Sequence, residues 1–176
     1  NAYYELVNES DIVLAAGGGY ITDSFERHAL LVLSTLGLAQ SLGKPTYLYG
    51  QGLGPIQSPL LTYLAKQILP RARIIALREK LAGVKVLEAA GAKDNFLVTG
   101  DDAIELAYHT RFSQLGNKIG INLRISNYSN FDSEFIAIIR EVVRELSQVH
   151  HAEVTPIPIS WHSEDSDVKS LQTLLG

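Results

Sequence analysis

Two glycine-rich segments contain the residues of this chain that are best suited to hold an anionic ligand. Residues 17–19 are three consecutive glycines, and residues 50–55 read Gly-Gln-Gly-Leu-Gly-Pro. Glycine lets a backbone approach a ligand closely, and three in a row exceed what one tight turn needs, although such a turn is the alternative explanation. The glycines predicted to bind substrate are Gly18, Gly19, Gly52 and Gly54. The spacing is not GxGxxG, so a dinucleotide cofactor is not expected.

Polar side chains near these glycines are candidates for binding and proton transfer. Gln51 offers a donor and an acceptor to a hydroxyl or a carboxylate, unless its segment is only a rigid turn. Asp23 lies four residues after the last glycine of the first segment. Its carboxylate could act as a base or hold a substrate, or it could cap the following helix. Asp101 or Asp102, in a later turn, is expected to cap a helix.

A second group of polar residues follows a predicted strand in the last third of the chain. Arg124 comes directly after the predicted strand at 118–123. A guanidinium at a strand end could bind a phosphate or carboxylate through two parallel hydrogen bonds. We expect it to face a cleft between two domains, the alternative being a solvated surface side chain. Asn127 and His162 lie in the polar segments that follow this strand and the next, and they are further substrate-binding candidates. No histidine has a spacing typical of a metal site, so no metal is predicted.

The elements that position these residues alternate between strands and helices. Short apolar runs typical of buried strands lie at 11–16, 46–49, 73–77 and 95–98, with helix-length stretches between them. We expect a five-strand parallel sheet to about residue 108, covered by helices on both faces. Because the carboxyl ends of parallel strands meet at one edge, both glycine segments are predicted as loops at the same edge.

The alternating pattern restarts after a polar connector near residue 114. A strand at 118–123, a long helix at 131–149 and a strand at 153–159 indicate a second α/β unit. The chain begins without methionine, contains none, and stops just after an amphipathic run. We therefore expect it to be a fragment, with one α/β domain ending at residue 113 and a second beginning at 114 and truncated at 176.

Composition excludes several classes of protein. With 46% hydrophobic residues and a net charge of −4, the chain can bury a core but lacks the basic surplus that nucleic-acid binding requires. It contains no cysteine, which excludes disulfides and thiolate metal sites. No apolar run approaches the roughly 20 residues that span a bilayer. The expected location is the cytoplasm, in solution or at the inner face of the membrane.

The two glycine segments together resemble the polysaccharide pyruvyltransferase family. The resemblance rests on Gly17-Gly18-Gly19-Tyr20-Ile21-Thr22-Asp23 followed by Gly50-Gln51-Gly52-Leu53-Gly54-Pro55, and it extends over residues 11–167. It implies two Rossmann-like domains that face each other, as in the glycosyltransferase B architecture. The chain would then hold the carboxyl-terminal part of the first domain and the amino-terminal part of the second.

The resemblance also implies a reaction. A pyruvyl group would pass from phosphoenolpyruvate to a saccharide of a cell-surface or exopolysaccharide precursor, free or lipid-linked, to give a pyruvyl ketal. The donor is a substrate and no cofactor is implied, with Asp23 and Arg124 as the catalytic candidates. Arg78, which follows a predicted strand, resembles the family's strand-end arginine, and this makes it a further substrate-binding candidate. The serine that usually follows a few residues later in the family is replaced here by Ala82 or Gly83.

Part of the family's pattern is missing. An Arg-Leu-His motif occurs late in the second domain of the family and not in this sequence, so the fragment is expected to be inactive alone. Two alternatives remain open, because fold alone does not determine function. One is a non-catalytic sugar-binding or regulatory domain of the same fold, and the other is half of a nucleotide-sugar glycosyltransferase or epimerase. The oligomeric state is left open.

Overall fold

The computed structural model describes residues 2–114, 116–125, 133–161 and 166–175. Its contacts divide the chain into two compact units, Asn1–Arg111 and Phe112–Gly176. The division falls close to the expected boundary near residue 114. The assignment of the units to the end of one domain and the start of another stays a prediction.

The first unit is built on a parallel sheet. Its strands are β1 (Val13–Ile21), β2 (Thr46–Leu53), β3 (Ile74–Leu77) and β4 (Phe96–Val98). They pair in parallel in the order β1-β2-β3-β4, which confirms the predicted α/β class and the parallel pairing. The predicted strand count of five was wrong. The four apolar runs recognised in the sequence are the strands that form in the described part of this unit.

Five helices accompany these strands. They are α1 (Ala2–Glu9), α2 (Glu26–Ser41), α3 (Pro59–Ile68), α4 (Gly83–Ala90) and α5 (Ala103–Thr110). Short 3₁₀ turns lie at Asp23–Phe25 and Leu69–Arg71. Proline opens α3, where its missing N–H costs nothing. Gly91 follows α4 with φ of +87° and forms a left-handed C-terminal cap, a conformation that glycine adopts without strain.

The core of the first unit lies between the sheet and three of its helices. Alternate residues of the strands, such as Leu48 and Ile75, are fully buried against residues of α2, α3 and α4 in one continuous apolar cluster. The helical members of the cluster are Ala29, Leu33, Leu36, Leu61, Ala65, Ile68, Leu87 and Ala90. This cluster positions the carboxyl ends of β1, β2 and β3 next to one another.

The opposite face of the same sheet is exposed in the described part of the chain. Leu14, Tyr49, Ile74 and Leu97 each expose about half of their surface (52%, 52%, 46% and 48%). Helices were expected on both faces, but the three that connect the strands, α2, α3 and α4, pack against one face only. The reason is topological, because right-handed crossovers between strands that follow one another in spatial order place every connecting helix on the same side.

The second unit has a smaller core. Its elements are β5 (Lys118–Ile121), α6 (Ser133–Gln148), β6 (Glu153–Pro156) and α7 (Asp167–Leu175), with β5 and β6 parallel. Leu123, Leu171 and Leu174 are buried together, with Phe135 and Ile139 of α6 packed against them. Among the described helices of either unit, none combines the length and apolar character that a bilayer crossing needs.

Candidate functional site

The glycine-rich segments are not the loops that the sequence predicted. Residues 17–19 lie inside β1 and residues 50–53 inside β2, so both strands run on through their glycines. The register is irregular there, with shifts near Gly18 in one ladder and before Gln51 in the other. Positive φ at Gly18 (+140°) and Gly50 (+62°) permits these irregular extensions. Gly54, also with positive φ (+80°), follows directly after β2.

Gln51 is fully buried where the register between the strands is irregular. Its Nε2 donates hydrogen bonds to the carbonyl oxygens of Ala15 (3.0 Å) and Tyr49 (3.2 Å) and to the hydroxyl of Tyr20 (3.1 Å). The side chain thus supplies donors to backbone carbonyls where the strand ladder is irregular. Its Oε1 is buried and accepts no hydrogen bond from the described residues. The structure therefore gives Gln51 a role in shaping the glycine-rich edge, and its contact with substrate stays a prediction.

Arg78 lies directly over the glycines of both strands. It follows β3, and its backbone N–H donates to the carbonyl of Gln51 (3.0 Å). A Cβ placed on Gly19 would lie 2.7 Å from Nη2 of Arg78, and one on Gly52 would lie 2.9 Å from its Nε. Side-chain carbons do not approach other atoms so closely, so the absence of side chains at Gly19 and Gly52 makes room for the guanidinium. The structure therefore brings together three of the residues predicted from the sequence.

Two carboxylates lie at the same edge of the sheet. Oδ2 of Asp101 is 3.7 Å from Nη1 of Arg78, while its Oδ1 accepts a hydrogen bond from the backbone N–H of Ala103 (3.0 Å). Asp102 brings its carboxylate against Gly50, in the space that a side chain there would occupy. Asp101 thus both caps α5, as the sequence indicated, and faces Arg78. The proximity of Asp102 to Gly50 had no signal in the sequence, because the two residues are distant along the chain.

Asp23 joins the end of β1 to the segment after β2. Its two carboxylate oxygens accept hydrogen bonds from the backbone N–H groups of Gln57 (2.6 Å) and Ser58 (3.1 Å). The backbone carbonyl of Pro55 accepts from the N–H of Asp23 and from the hydroxyl of Thr22, both at 3.1 Å. Asp23 therefore fixes the segment that leads into α3. Its predicted catalytic role stays a prediction.

The residue after Arg78 is held at the start of α4. Glu79 accepts hydrogen bonds from the backbone N–H groups of Leu81 (2.6 Å), Ala82 (3.1 Å) and Gly83 (3.0 Å). Partial burial acts to raise the pKa of Glu79, but these hydrogen bonds and the charge of Arg78 together bring the pKa below its ordinary value. The carboxylate thus stays ionised and holds the turn that presents Arg78.

The second unit has its own polar centre, at the carboxyl ends of β5 and β6. Asp167, the first residue of α7, is almost completely buried, with 1% of its surface exposed. Its Oδ2 accepts hydrogen bonds from Nδ2 of Asn122 (2.9 Å) and from the backbone N–H groups of Ile159 (2.9 Å) and Ser160 (2.8 Å). Nη1 of Arg124 lies 4.0 Å from its Oδ1. No hydrogen bond reaches this Oδ1 from the described residues, so Arg124 lies beside a buried carboxylate without hydrogen-bonding to it, and about a third (35%) of its side chain remains exposed.

The pKa of Asp167 lies below its ordinary value because its hydrogen bonds outweigh its burial. The largest contribution is the N–H of Ser160, followed by the side chain of Asn122, while burial acts in the opposite direction. The hydrogen bond from Ile159 and the charge of Arg124 lower the pKa further. Sequence reasoning missed Asp167, since an aspartate at a helix start usually indicates only a cap.

Three sequence predictions about the second unit remain predictions. Asn127 and His162 lie outside the described residues. The prediction that Arg124 faces the glycine-rich edge stays a prediction. Within the described ranges, no three histidine, aspartate or glutamate side chains are gathered as a metal ion would require.

Comparison with known families agrees with the resemblance carried by the glycine segments. The family model described as polysaccharide pyruvyl transferase matches residues 1–174, nearly the whole chain. No match to a curated protein or to a solved structure was found. The match includes both glycine-rich strands, Arg78, and the unit that holds Arg124. The chain therefore belongs to the polysaccharide pyruvyl transferase family.

Proposed function

We propose that this protein transfers a pyruvyl group from phosphoenolpyruvate to a saccharide that is a precursor of a cell-surface polymer. Membership of the family supports pyruvyl transfer, and the observation that carries the choice of donor is the part-exposed guanidinium of Arg124 beside the buried carboxylate of Asp167. Phosphoenolpyruvate carries a phosphate and a carboxylate on one carbon skeleton, and arginine binds either group through two parallel hydrogen bonds. Arg124 is the donor-binding residue in this proposal.

The buried carboxylate of Asp167 supports this role for Arg124. An exposed arginine on a flexible side chain loses conformational entropy when it binds a ligand. Asp167 is fixed by three hydrogen bonds at Oδ2, so its negative charge has a fixed position 4.0 Å from Nη1 of Arg124. The guanidinium lies next to this fixed negative charge and keeps part of its surface available to an anion.

The reaction balances with phosphoenolpyruvate and a sugar that offers two hydroxyl groups. One hydroxyl oxygen bonds to the enol carbon while the methylene carbon gains a proton and becomes a methyl group. The second hydroxyl then displaces phosphate from the same carbon, which leaves a pyruvyl ketal and inorganic phosphate. One hydroxyl proton balances the proton taken up by the methylene carbon, and the other leaves with phosphate. The protein must stabilise the negative charge of the donor, which is the contribution assigned to Arg124.

The acceptor is assigned to the glycine-rich edge of the first unit. Arg78 and the two aspartates nearby offer hydrogen-bond donors and acceptors to sugar hydroxyls. Gly19 and Gly52 leave room for the guanidinium to lie against the backbone of both strands. In this proposal Asp23 acts by fixing the neighbouring segment, since both of its oxygens already accept backbone hydrogen bonds.

Donor binding tests the proposal in the complete protein. Titration calorimetry with phosphoenolpyruvate should give a dissociation constant that rises roughly 10- to 100-fold in Arg124→Ala. Arg124→Lys should recover little of this loss, because an ammonium group lacks the planar pair of donors. Arg144→Ala removes the same charge from an exposed position in the same unit and should leave binding unchanged.

Unchanged phosphoenolpyruvate binding in Arg124→Ala would overturn the assignment of the donor site. Binding of a nucleotide-sugar in place of phosphoenolpyruvate would favour the glycosyltransferase alternative. Binding of a saccharide without release of phosphate from the donor would favour a non-catalytic domain.

A further inference from the structure

A basic hollow lies at the end of the first sheet that is opposite to the glycine-rich edge. Its walls come from the end of α2, the turn before β2 and the turn before β3, and it has a volume of about 450 Å³. The lining residues are Gln40, Gly43, Lys44, Pro45, Arg71, Ala72 and Arg73. Three of these seven residues are cationic, in a chain whose net charge is −4.

These three cations have no ionic partner among the residues that the structure describes. The ion pairs found there involve other basic residues, and no side-chain hydrogen bond there reaches Lys44, Arg71 or Arg73. Like charges gathered around one concave surface raise the local positive potential and attract anions. A cluster of positive charges without ionic partners therefore favours the binding of an anion.

The walls of the hollow are fixed by hydrogen bonds. Nε2 of Gln40 donates to the hydroxyl of Thr46 (2.9 Å) and to the carbonyl of Ile68 (3.0 Å), which ties α2 to β2 and to the end of α3. The N–H of Arg73 donates to the carbonyl of Thr46 (2.8 Å). Nδ2 of Asn95 holds the turn before β3 through the carbonyl of Ala72 (2.9 Å). The backbone that carries both arginines is thus ordered before any ligand binds, which reduces the entropic cost of binding.

We propose that this hollow binds a phosphate-bearing anion at a site separate from the glycine-rich edge. Two arginines and a lysine match the oxygens of a phosphate or diphosphate better than those of a single carboxylate, because each guanidinium can bind two oxygens. The volume lies within the range of small-molecule sites, about 300–1,000 Å³. Along β2 the two ends of the sheet are seven residues apart, or about 23 Å at 3.3 Å per residue, so one small ligand does not reach both.

The phosphate could belong to a soluble phosphorylated compound or to the headgroup of an anionic lipid, and the experiment separates these sources. Calorimetric titration with inorganic pyrophosphate represents the soluble ligand. Co-sedimentation with phosphatidylcholine vesicles, with and without phosphatidylserine, represents the lipid. Binding of pyrophosphate alone assigns a soluble ligand, and binding only to vesicles that contain phosphatidylserine assigns a lipid headgroup.

The variant Arg71→Ala/Arg73→Ala should weaken binding of the active probe by about tenfold or more. Lys66→Ala/Lys85→Ala removes two positive charges from exposed positions on α3 and α4 and should leave binding within twofold of the wild type. Equal losses in both double variants would reduce the effect to non-specific charge attraction and overturn the proposal. The absence of binding to either probe in the wild type would also overturn it.

A measurement on the wild-type chain keeps the test independent of how the variants fold. On addition of pyrophosphate, the backbone amide resonances of Arg71 and Arg73 should shift, while those of Gly19 and Gly52 should not. Shifts confined to the glycine-rich edge would show that the anion binds there and not in the basic hollow.

Discussion

The guanidinium of Arg78 rests on the bare backbone of Gly52, with Nε only 2.9 Å from the position that a Cβ would take. Gly19 on the neighbouring strand faces the same guanidinium in the same way, at 2.7 Å from Nη2. Two glycines on adjacent strands therefore define where one arginine can lie. The guanidinium of Arg78 can take this position because neither Gly19 nor Gly52 has a side chain.

Gly52→Ala is expected to displace Arg78 while leaving the fold intact. The φ of Gly52 lies outside the left-handed region, so alanine fits the backbone and only the arginine must move. Saccharide binding by the complete protein should fall by roughly tenfold, whereas the free energy of unfolding should change by less than about 1 kcal/mol. Affinity measured by calorimetry and stability measured by urea unfolding separate the two effects.

Gly18→Ala provides the matched comparison. Gly18 has φ of +140°, a conformation that side chains rarely adopt, so this variant should lose stability as well as binding. If Gly52→Ala proved as unstable as Gly18→Ala, the separation of positioning from folding at this edge would be wrong.

Asp23→Ala should destabilise the first unit, because it leaves the N–H groups of Gln57 and Ser58 without their acceptors. Hydrogen bonds to a charged group contribute about 1.5–3 kcal/mol, and the lower end applies here because Asp23 is only half-buried. Asp23→Asn keeps one acceptor oxygen and should fall between the wild type and alanine. Equal stability of all three proteins in urea would contradict the role of Asp23 as a fixed link.

Gln51→Leu should cost about 1–3 kcal/mol of stability, because it removes the donor that the carbonyls of Ala15 and Tyr49 share. The shape of the side chain is roughly preserved, so the loss measures hydrogen bonding and not an empty cavity. Gln67→Leu, at an exposed position on α3, is the control and should change stability little. Similar urea midpoints for both variants would show that Gln51 is not needed to support the irregular strands.

Acid should destabilise both units through two carboxylates. Asp167 and Glu79 have pKa values below their ordinary values of 3.8 and 4.5, so the folded chain binds their protons less readily than the unfolded chain does. The stability they contribute is fully present above those ordinary values and is lost as the pH falls through the lower, folded-state values. Thermal unfolding followed over this range should show a smaller acid-induced fall for Asp167→Asn than for the wild type. An identical pH dependence would contradict the assignment.

The sequence predicted those features that depend on local pattern. Alternating apolar runs gave the parallel sheet, and the strand-end position of Arg78 correctly indicated a side chain at the carboxyl edge. It did not distinguish a glycine loop from a glycine-rich strand with irregular register, since glycine is typical of both. Residues 17–19 were therefore predicted as a loop although they belong to β1.

Features that depend on contacts between distant residues were not predictable in this way. Asp167 accepts a hydrogen bond from Asn122 and lies beside Arg124, both more than 40 positions earlier in the chain, and nothing in its local sequence distinguishes it from an ordinary helix cap. Asp102 reaches Gly50 by the same kind of long-range approach. The crossover pattern that leaves one sheet face exposed also depends on the spatial order of the strands and not on the composition of any one of them.

That exposed face has a thermodynamic consequence. Leu14, Tyr49, Ile74 and Leu97 present apolar carbon to water across the width of the sheet. Any surface that comes to cover them will release ordered solvent, so its binding will be driven by entropy near room temperature and accompanied by a negative change in heat capacity. Such an association weakens in the cold. Binding of such a surface is therefore expected to become tighter as the temperature rises from near 0 °C toward room temperature.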